Sequence, residues 1–199
     1  MQTVTVSSHS TVPGSRVLIG YASAYGSTKS IAIRVGELVR AEGFEVDVRP
    51  VDEIESVDSY DAVILGSAIH NQQWLPAAAL FVRTHGAMLA GRPVWLFSVC
   101  SIGETSSFFS ERLARPMRRR RKEPAVVSEV RETLDVRDHR FFAGVIERSH
   151  WTVAGNLFLR LFGGTFGDHR DWPDIERWAT GVARSLPSSP DAPPVPDAT

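Results

Sequence analysis

Apolar runs of strand length alternate along the chain with stretches of helical spacing. Arg16 to Ala22 is the first run, and it passes through Ser23-Ala24-Tyr25-Gly26-Ser27-Thr28 into a segment whose apolar positions recur with helical period. From Ser30 to Ala41, Ile31, Val35, Leu38 and Val39 share one face, and Gly43 suits the stop. Phe44 to Val48 alternates as an edge or half-covered strand does, whereas Ala62 to Ser67 is continuously apolar, as a central parallel strand is. Leu75 to Leu89 reads as a helix with Pro76 in its first turn. Pro93 to Val99 and Arg140 to Ile146 supply two more buried strands, and Asp171 with Pro173 just inside opens a last helix.

Strands that alternate with helices and are themselves apolar throughout call for an α/β fold, a doubly wound parallel sheet of five strands. Ligands in such sheets lie beyond the carboxyl ends of the strands. Here those are the loops after the first, third and fourth strands, the three stretches richest in small polar residues. The expected domain is 15–186, between a loose tail at 1–14 and a disordered Pro-rich tail at 187–199. A long insertion over about 101–139 follows the fourth strand. The first tail lacks the basic start and apolar core of a signal peptide, and no segment reads as a membrane span.

The first loop carries the clearest chemistry. A strand, a tight turn and a helix start leave backbone N–H groups pointing into the loop, where the helix dipole favours negative charge. Ser23, Ser27 and Thr28 add hydroxyl donors, and Gly26 admits close approach, so a phosphate monoester fits. Ser27 stands where a P-loop has lysine, and Gly20 and Gly26 are too few for a dinucleotide fingerprint. The acids of a receiver domain and the Cys and Arg of a small phosphatase are absent from this loop.

Tyr21, Ser23, Gly26, Thr28 and Ala32 stand at the spacing of the flavodoxin signature, and the chain resembles that family. Gly20 departs from it where an apolar residue is usual, at an expected cost in packing. The resemblance implies strand order 2-1-3-4-5 and a bound FMN. The phosphate would lie on Ser23, Ala24, Tyr25, Gly26, Ser27 and Thr28. The ring would lie between Ser67-Ala68-Ile69-His70-Asn71-Gln72, with Trp74 nearby, and Ser98-Val99-Cys100-Ser101. Backbone groups there would meet the polar ring edge. Flavodoxins place an aromatic in the second wall and this chain does not, leaving one ring face for a substrate. His70 also reads as a surface histidine, Trp74 as a helix anchor, Cys100 as a small apolar filler and Lys29 as a solvated first-turn lysine.

Within the insertion, Arg118-Arg119-Arg120-Arg121-Lys122 is either a solvated face or a sink for carboxylates or an anionic membrane surface. Nucleic acid is disfavoured because no aromatic interleaves. Trp151 to Phe162 reads as an apolar helix that packs on the sheet or enters a lipid interface. These features, with Ile64 to Ile69, Phe97-Ser98-Val99, Phe142-Ala143-Gly144, Gly163-Gly164 and Asp171-Trp172, resemble the menaquinone-dependent protoporphyrinogen IX dehydrogenases. That resemblance implies an FMN oxidoreductase of haem biosynthesis, with a reduced tetrapyrrole as donor and a quinone as acceptor. It also implies a cytoplasmic protein in peripheral contact with the inner face of the cell membrane.

Composition adds bounds. The 199 residues, 43% hydrophobic and 23% charged with net charge −1, suit one globular core with no global attraction to polyanions. One cysteine excludes a disulfide framework and a multi-cysteine metal site, and no metal is expected. An electron carrier, an FMN-dependent quinone or nitro-compound reductase and a flavin-free interaction domain remain as other readings. A homo-oligomer is compatible with all of them.

Overall fold

The computed structural model describes residues 15–147 and 163–187. The helix expected over Trp151 to Phe162 and nearly all of both expected tails lie outside these residues. Strand β1 (Arg16–Ala22) leads to α1 (Ser27–Ala41), β2 (Glu45–Pro50), a single 3-10 turn, β3 (Ala62–His70) and the short β4 (Gln73–Trp74). Then come α2 (Pro76–Leu89), β5 (Pro93–Cys100), α3 (Glu111–Arg120) and α4 (Ala125–Thr133). The chain closes with β6 (Asp135–Ala143), β7 (Val145–Ile146), β8 (Gly167–Asp168) and α5 (Trp172–Ser185).

The long strands pair in parallel in the order β2-β1-β3-β5-β6, which is the 2-1-3-4-5 order of the five expected strands. Both sheet faces are covered, which is why β1, β3 and β5 read as unbroken apolar runs. Ile31, Val35, Ile175, Trp178 and Val182 of α1 and α5 pack on one face. Phe81, Val82, Leu89, Val126, Val127 and Val130 of α2 and α4 pack on the other.

Four boundaries differ from the sequence reading, each for a local reason. Helix α1 starts at Ser27, three residues early, because Gly26 adopts φ 91° and lets the turn close at once. Strand β3 runs on to His70 because β4 pairs back onto it, Ile69 with Trp74 and His70 with Gln73. The polar start of β6 hides a strand: Asp135, Arg137 and Asp138 lie on the sheet edge, with a bulge where Val94 and Trp95 face Val136 and Asp138. The insertion is therefore shorter than 101–139, since α4 is the ordinary crossover helix between β5 and β6. At its far end the strand breaks at Gly144, and Val145–Ile146 turn away to pair with β8. Gly20 leaves no packing defect: a Cβ there would come within 2.9 Å of Leu65 Cδ2 and 3.3 Å of Ile54 and Val51, which fill the space.

A polar chain, buried from Trp74 to the His139 ring and ending at the exposed Glu123, ties the insertion to the sheet. The Trp74 indole N–H donates to Ser98 Oγ at 2.7 Å, Ser98 Oγ lies 2.8 Å from His139 Nε2, and His139 Nδ1 lies 2.9 Å from Glu123. A neutral His139 protonated at Nδ1 satisfies every group: the serine hydroxyl donates to Nε2 and Nδ1–H donates to the carboxylate. Burial holds the histidine pKa below its usual 6.5, with the hydrogen bond and charge of Glu123 pulling the other way. Burial pushes Glu123 up, but hydrogen bonds from His139 and Arg131 outweigh it and leave the group below 4.5. Both shifts mean that the folded chain binds fewer protons than the unfolded one. Stability is thus expected to fall as pH drops from about 6.5 through the histidine's lower folded value, and further as Glu123 protonates. Urea denaturation across this range checks it: His139→Gln should flatten the upper part of the profile, and a wild-type profile level from neutrality to about pH 5 refutes it.

Candidate functional site

The carboxyl ends of β1, β3 and β5 frame a cleft of about 540 Å³. Its floor at one end is the start of α1. Gly26 is the N-cap residue, and its N–H donates to Ser23 Oγ at 3.0 Å, which folds the turn beneath the helix. The first turn of α1 presents backbone N–H groups without intrahelical acceptors. Thr28 is 1% exposed, and its Oγ1 is the one buried side-chain oxygen or nitrogen among the described residues with no hydrogen-bond partner. A buried hydroxyl without a partner is costly, and here it lines the cleft beside the positive end of a helix. The donor set fits the phosphate of a mononucleotide.

Ser27 has a second task. Its Oγ accepts from the Val145 N–H at 2.9 Å, and a Cβ on Gly144 would lie 3.2 Å from that oxygen and 3.0 Å from Val99 Cγ1. The corner after β6 therefore packs directly against the start of α1 and the end of β5, and only a residue without a side chain fits there unforced. Gly144, Val145 and Ile146 line the cleft, as do Leu75 and Phe108. Sequence reasoning missed all five as site residues. The Phe142-Ala143-Gly144 motif was the available signal for the corner, and nothing marked Phe108.

Opposite, Asn71 and Gln72 both take positive φ, 50° and 62°, and form the two-residue turn between β3 and β4. This is the hairpin geometry that matches strand twist and projects backbone groups at the tip. Ala68 to Gln72 line the cleft with Val99, Cys100 and Ser101 facing them. Apolar walls and a polar backbone rim suit a flat heteroaromatic ring.

Thirteen of the expected cofactor residues thus come together: Ser23, Ala24, Tyr25, Ser27, Thr28, Ala68, Ile69, His70, Asn71, Gln72, Val99, Cys100 and Ser101. Three do not line the cleft. Gly26 shapes the turn instead. Ser67 and Ser98 are fully buried: Ser67 Oγ accepts from Leu75 N–H and donates to the Ala68 carbonyl, and Ser98 serves the chain to His139. Trp74 is 4% exposed and anchors the start of α2 rather than reaching the cleft. Cys100 faces the cleft, but its thiol donates to the Ile102 carbonyl at 3.0 Å and burial pushes it up to about 11, so it is no nucleophile at neutral pH.

The basic run divides. Arg118 donates to the Gly103 and Ser106 carbonyls and pairs with Glu111 at 2.8 Å. Arg121 donates to the Ile102 carbonyl, pairs with Glu104 at 2.5 Å and stacks 3.6 Å from the centre of the Phe141 ring. These two hold down the loop that carries Ser101 and Phe108, and are not open to a ligand. Arg119, Arg120 and Lys122 remain exposed.

The parallel order and a phosphate-accepting first loop define a mononucleotide-binding α/β protein. A family model described as the flavodoxin domain matches residues 18–152, and the chain belongs to that family, with FMN as its cofactor. Comparison with curated proteins gives no match. Among solved structures, a flavodoxin from the domain Archaea superposes with TM-score 0.56 at 14% identity, covering 86% of this chain and 98% of that one. The flavodoxin of Megasphaera elsdenii gives 0.54 at 17% identity, covering 84% and 98%. Rubredoxin oxygen:oxidoreductase from Desulfovibrio gigas gives 0.52 at 19% identity, covering 86% of this chain and 36% of that longer one. These likenesses are ones of fold.

Proposed function

We propose that this flavodoxin-domain protein is an FMN-dependent oxidoreductase that oxidises protoporphyrinogen IX, or a related reduced substrate, and passes electron pairs to a quinone. The observation that carries this reading is the wall built by the insertion. Ser101 and Phe108 line the cleft, held there by Phe108 N–H to the Ser101 carbonyl at 2.9 Å and by Arg118 and Arg121. A carrier needs only to expose its ring edge to a partner, whereas an enzyme needs a further wall that orients a substrate. The resemblance of the sheet motifs and of the insertion's position to the protoporphyrinogen dehydrogenases names the substrate.

Bound FMN supplies the electron-pair acceptor. The chain's own part is binding and exclusion. The first turn of α1 and Thr28 would hold the phosphate, the Asn71–Gln72 turn would offer backbone groups to the ring edge, and Phe108 would keep water from one side. Phe108 itself is steadied by His169, whose ring centre lies 5.1 Å away and whose Nε2 donates to the Thr165 carbonyl at 2.9 Å.

Anaerobic mixing of the holoprotein with protoporphyrinogen IX is expected to bleach the flavin, and menaquinone to restore its colour. Phe108→Ala should slow the bleaching about tenfold or more while bound FMN remains. If the substrate leaves the flavin oxidised and only a reductase partner reduces it, the protein is an electron carrier instead.

A further inference from the structure

The turn opposite the phosphate loop is held from behind. Asn71 and Gln72 are carried between β3 and β4, and β4 has only Gln73 and Trp74 to pair with β3. Three further bonds seat it. Leu75 N–H donates to Ser67 Oγ at 3.0 Å, Ala125 N–H donates to Gln73 Oε1 at 3.1 Å, and the Trp74 indole donates to Ser98 Oγ at 2.7 Å. The last two lead to one place. Ala125 opens α4 just after Glu123, and Ser98 reaches Glu123 through His139.

The protons along this path have one arrangement that satisfies every group. Ser98 and the His139 side chain are fully buried. With the Trp74 N–H coming in, the serine hydroxyl donates to His139 Nε2. A proton on Nε2 turns that acceptor into a second donor, and among the described residues the hydroxyl has no other acceptor. The cost falls on the Trp74 bond, because a strand of two residues moves more readily than β5 or β6. Glu123, ahead of α4, favours the extra proton, while burial, Arg131 of α4 and Arg121 at the end of α3 oppose it. Its contacts on β5 and β6, Ser98 and the Phe141 ring, carry no charge.

We infer that His139 is a positioning residue for the flavin site: through Ser98 and Trp74 it seats the Asn71–Gln72 turn, and its protonation loosens the turn and weakens FMN binding from outside the cleft. The inference rests on the ring edge lying at that turn, so one of its two measurements does without flavin.

Hydrogen exchange of the flavin-free full-length chain is compared at about pH 7 and about pH 5. After correction for intrinsic rates, protection from His70 to Leu75 is expected to fall about fivefold more in the wild type than in His139→Gln. FMN affinity is then titrated over the same range. The FMN phosphate itself takes up a proton near about pH 6, so the reading is the excess of wild type over variant, expected to be about fivefold in Kd. Trp74→Phe keeps an aromatic ring and removes only the N–H. It should abolish both excesses with His139 still present, and adding His139→Gln to it should change nothing more. None of these residues lines the cleft, so bound-flavin absorbance at saturating FMN and neutral pH confirms that each variant is folded. Equal exchange in wild type and His139→Gln overturns the inference and leaves the placement of FMN standing. Linked exchange with no excess in Kd overturns it by moving the ring away from this turn. A Trp74→Phe protein that keeps the wild-type excess overturns it too, since the linkage would not run through the tryptophan.

Discussion

Replacing Thr28 with Val is expected to move cofactor affinity and protein stability in opposite directions. Valine keeps the shape of the side chain and removes only the hydroxyl. In the chain without ligand, Thr28 Oγ1 is buried and unpartnered, so its removal should stabilise the fold by about 1–2 kcal/mol. If the FMN phosphate sits on the first turn of α1, as proposed, that hydroxyl would donate to it, and a hydrogen bond to a charged group contributes about 1.5–3 kcal/mol. The dissociation constant should therefore rise about 10- to 100-fold. Fluorescence titration gives the affinity and urea denaturation of flavin-free protein gives the stability. Unchanged affinity would move the phosphate off the first turn of α1 and take the placement of the whole cofactor with it.

Gly26 offers a contrast at the same turn. A Cβ there meets nothing within 4 Å, so the obstacle to a side chain is the backbone, at φ 91°. Gly26→Val should weaken FMN and destabilise the fold together by about 1–2 kcal/mol, whereas Asn, which visits this region more readily, should restore much of the loss. A steric reading would have valine and asparagine behave alike.

Much of this arrangement was legible in the sequence, because the signals were local. Three unbroken apolar runs announced strands buried on both faces, and Tyr21 to Ala32 announced a strand, a tight turn and a helix start. The order of the strands came from resemblance, since periodicity does not say which strand pairs with which. What stayed hidden depended on pairing at a distance. Ser67 and Ser98 sit at the expected strand ends, yet whether each faces the cleft or the interior is a matter of pleat, and both turned inward to Leu75, Trp74 and His139. The first half of β6 looked like insertion because an edge strand tolerates Asp135, Arg137 and Asp138. Phe108 had no signal at all, since the loop's fold depends on Arg118 and Arg121 capping its carbonyls from another helix. The same contacts explain why the arginine run, which read as one patch, is two populations.

Gly66→Ala is expected to be the most damaging small substitution in the sheet. Gly66 on β3 stands beside Phe97 on β5, and a Cβ added at Gly66 would lie 2.0 Å from Phe97 Cζ and 2.4 Å from both Cε atoms. The ring lies over the glycine, and its escape routes are filled: Phe97 is fully buried, with the Phe142 and Trp178 rings at 6.1 and 5.9 Å. Relief requires moving three packed aromatic rings rather than one flexible end, so the cost should reach the upper range of overpacking, about 3 kcal/mol. For a domain of this size that is a fall in Tm of about 6–12 °C. Gly20→Ala is the control, because its nearest obstacle is the mobile Leu65 Cδ2 at 2.9 Å, and it should cost less than about 1 kcal/mol. Phe97→Leu should also be less harmful in the Gly66→Ala background than in the wild type, a coupling of about 1–2 kcal/mol between the two positions. Additive effects, or a Gly66→Ala protein melting within about 2 °C of the wild type, would mean that the ring yields freely and that this face of the sheet is not close-packed.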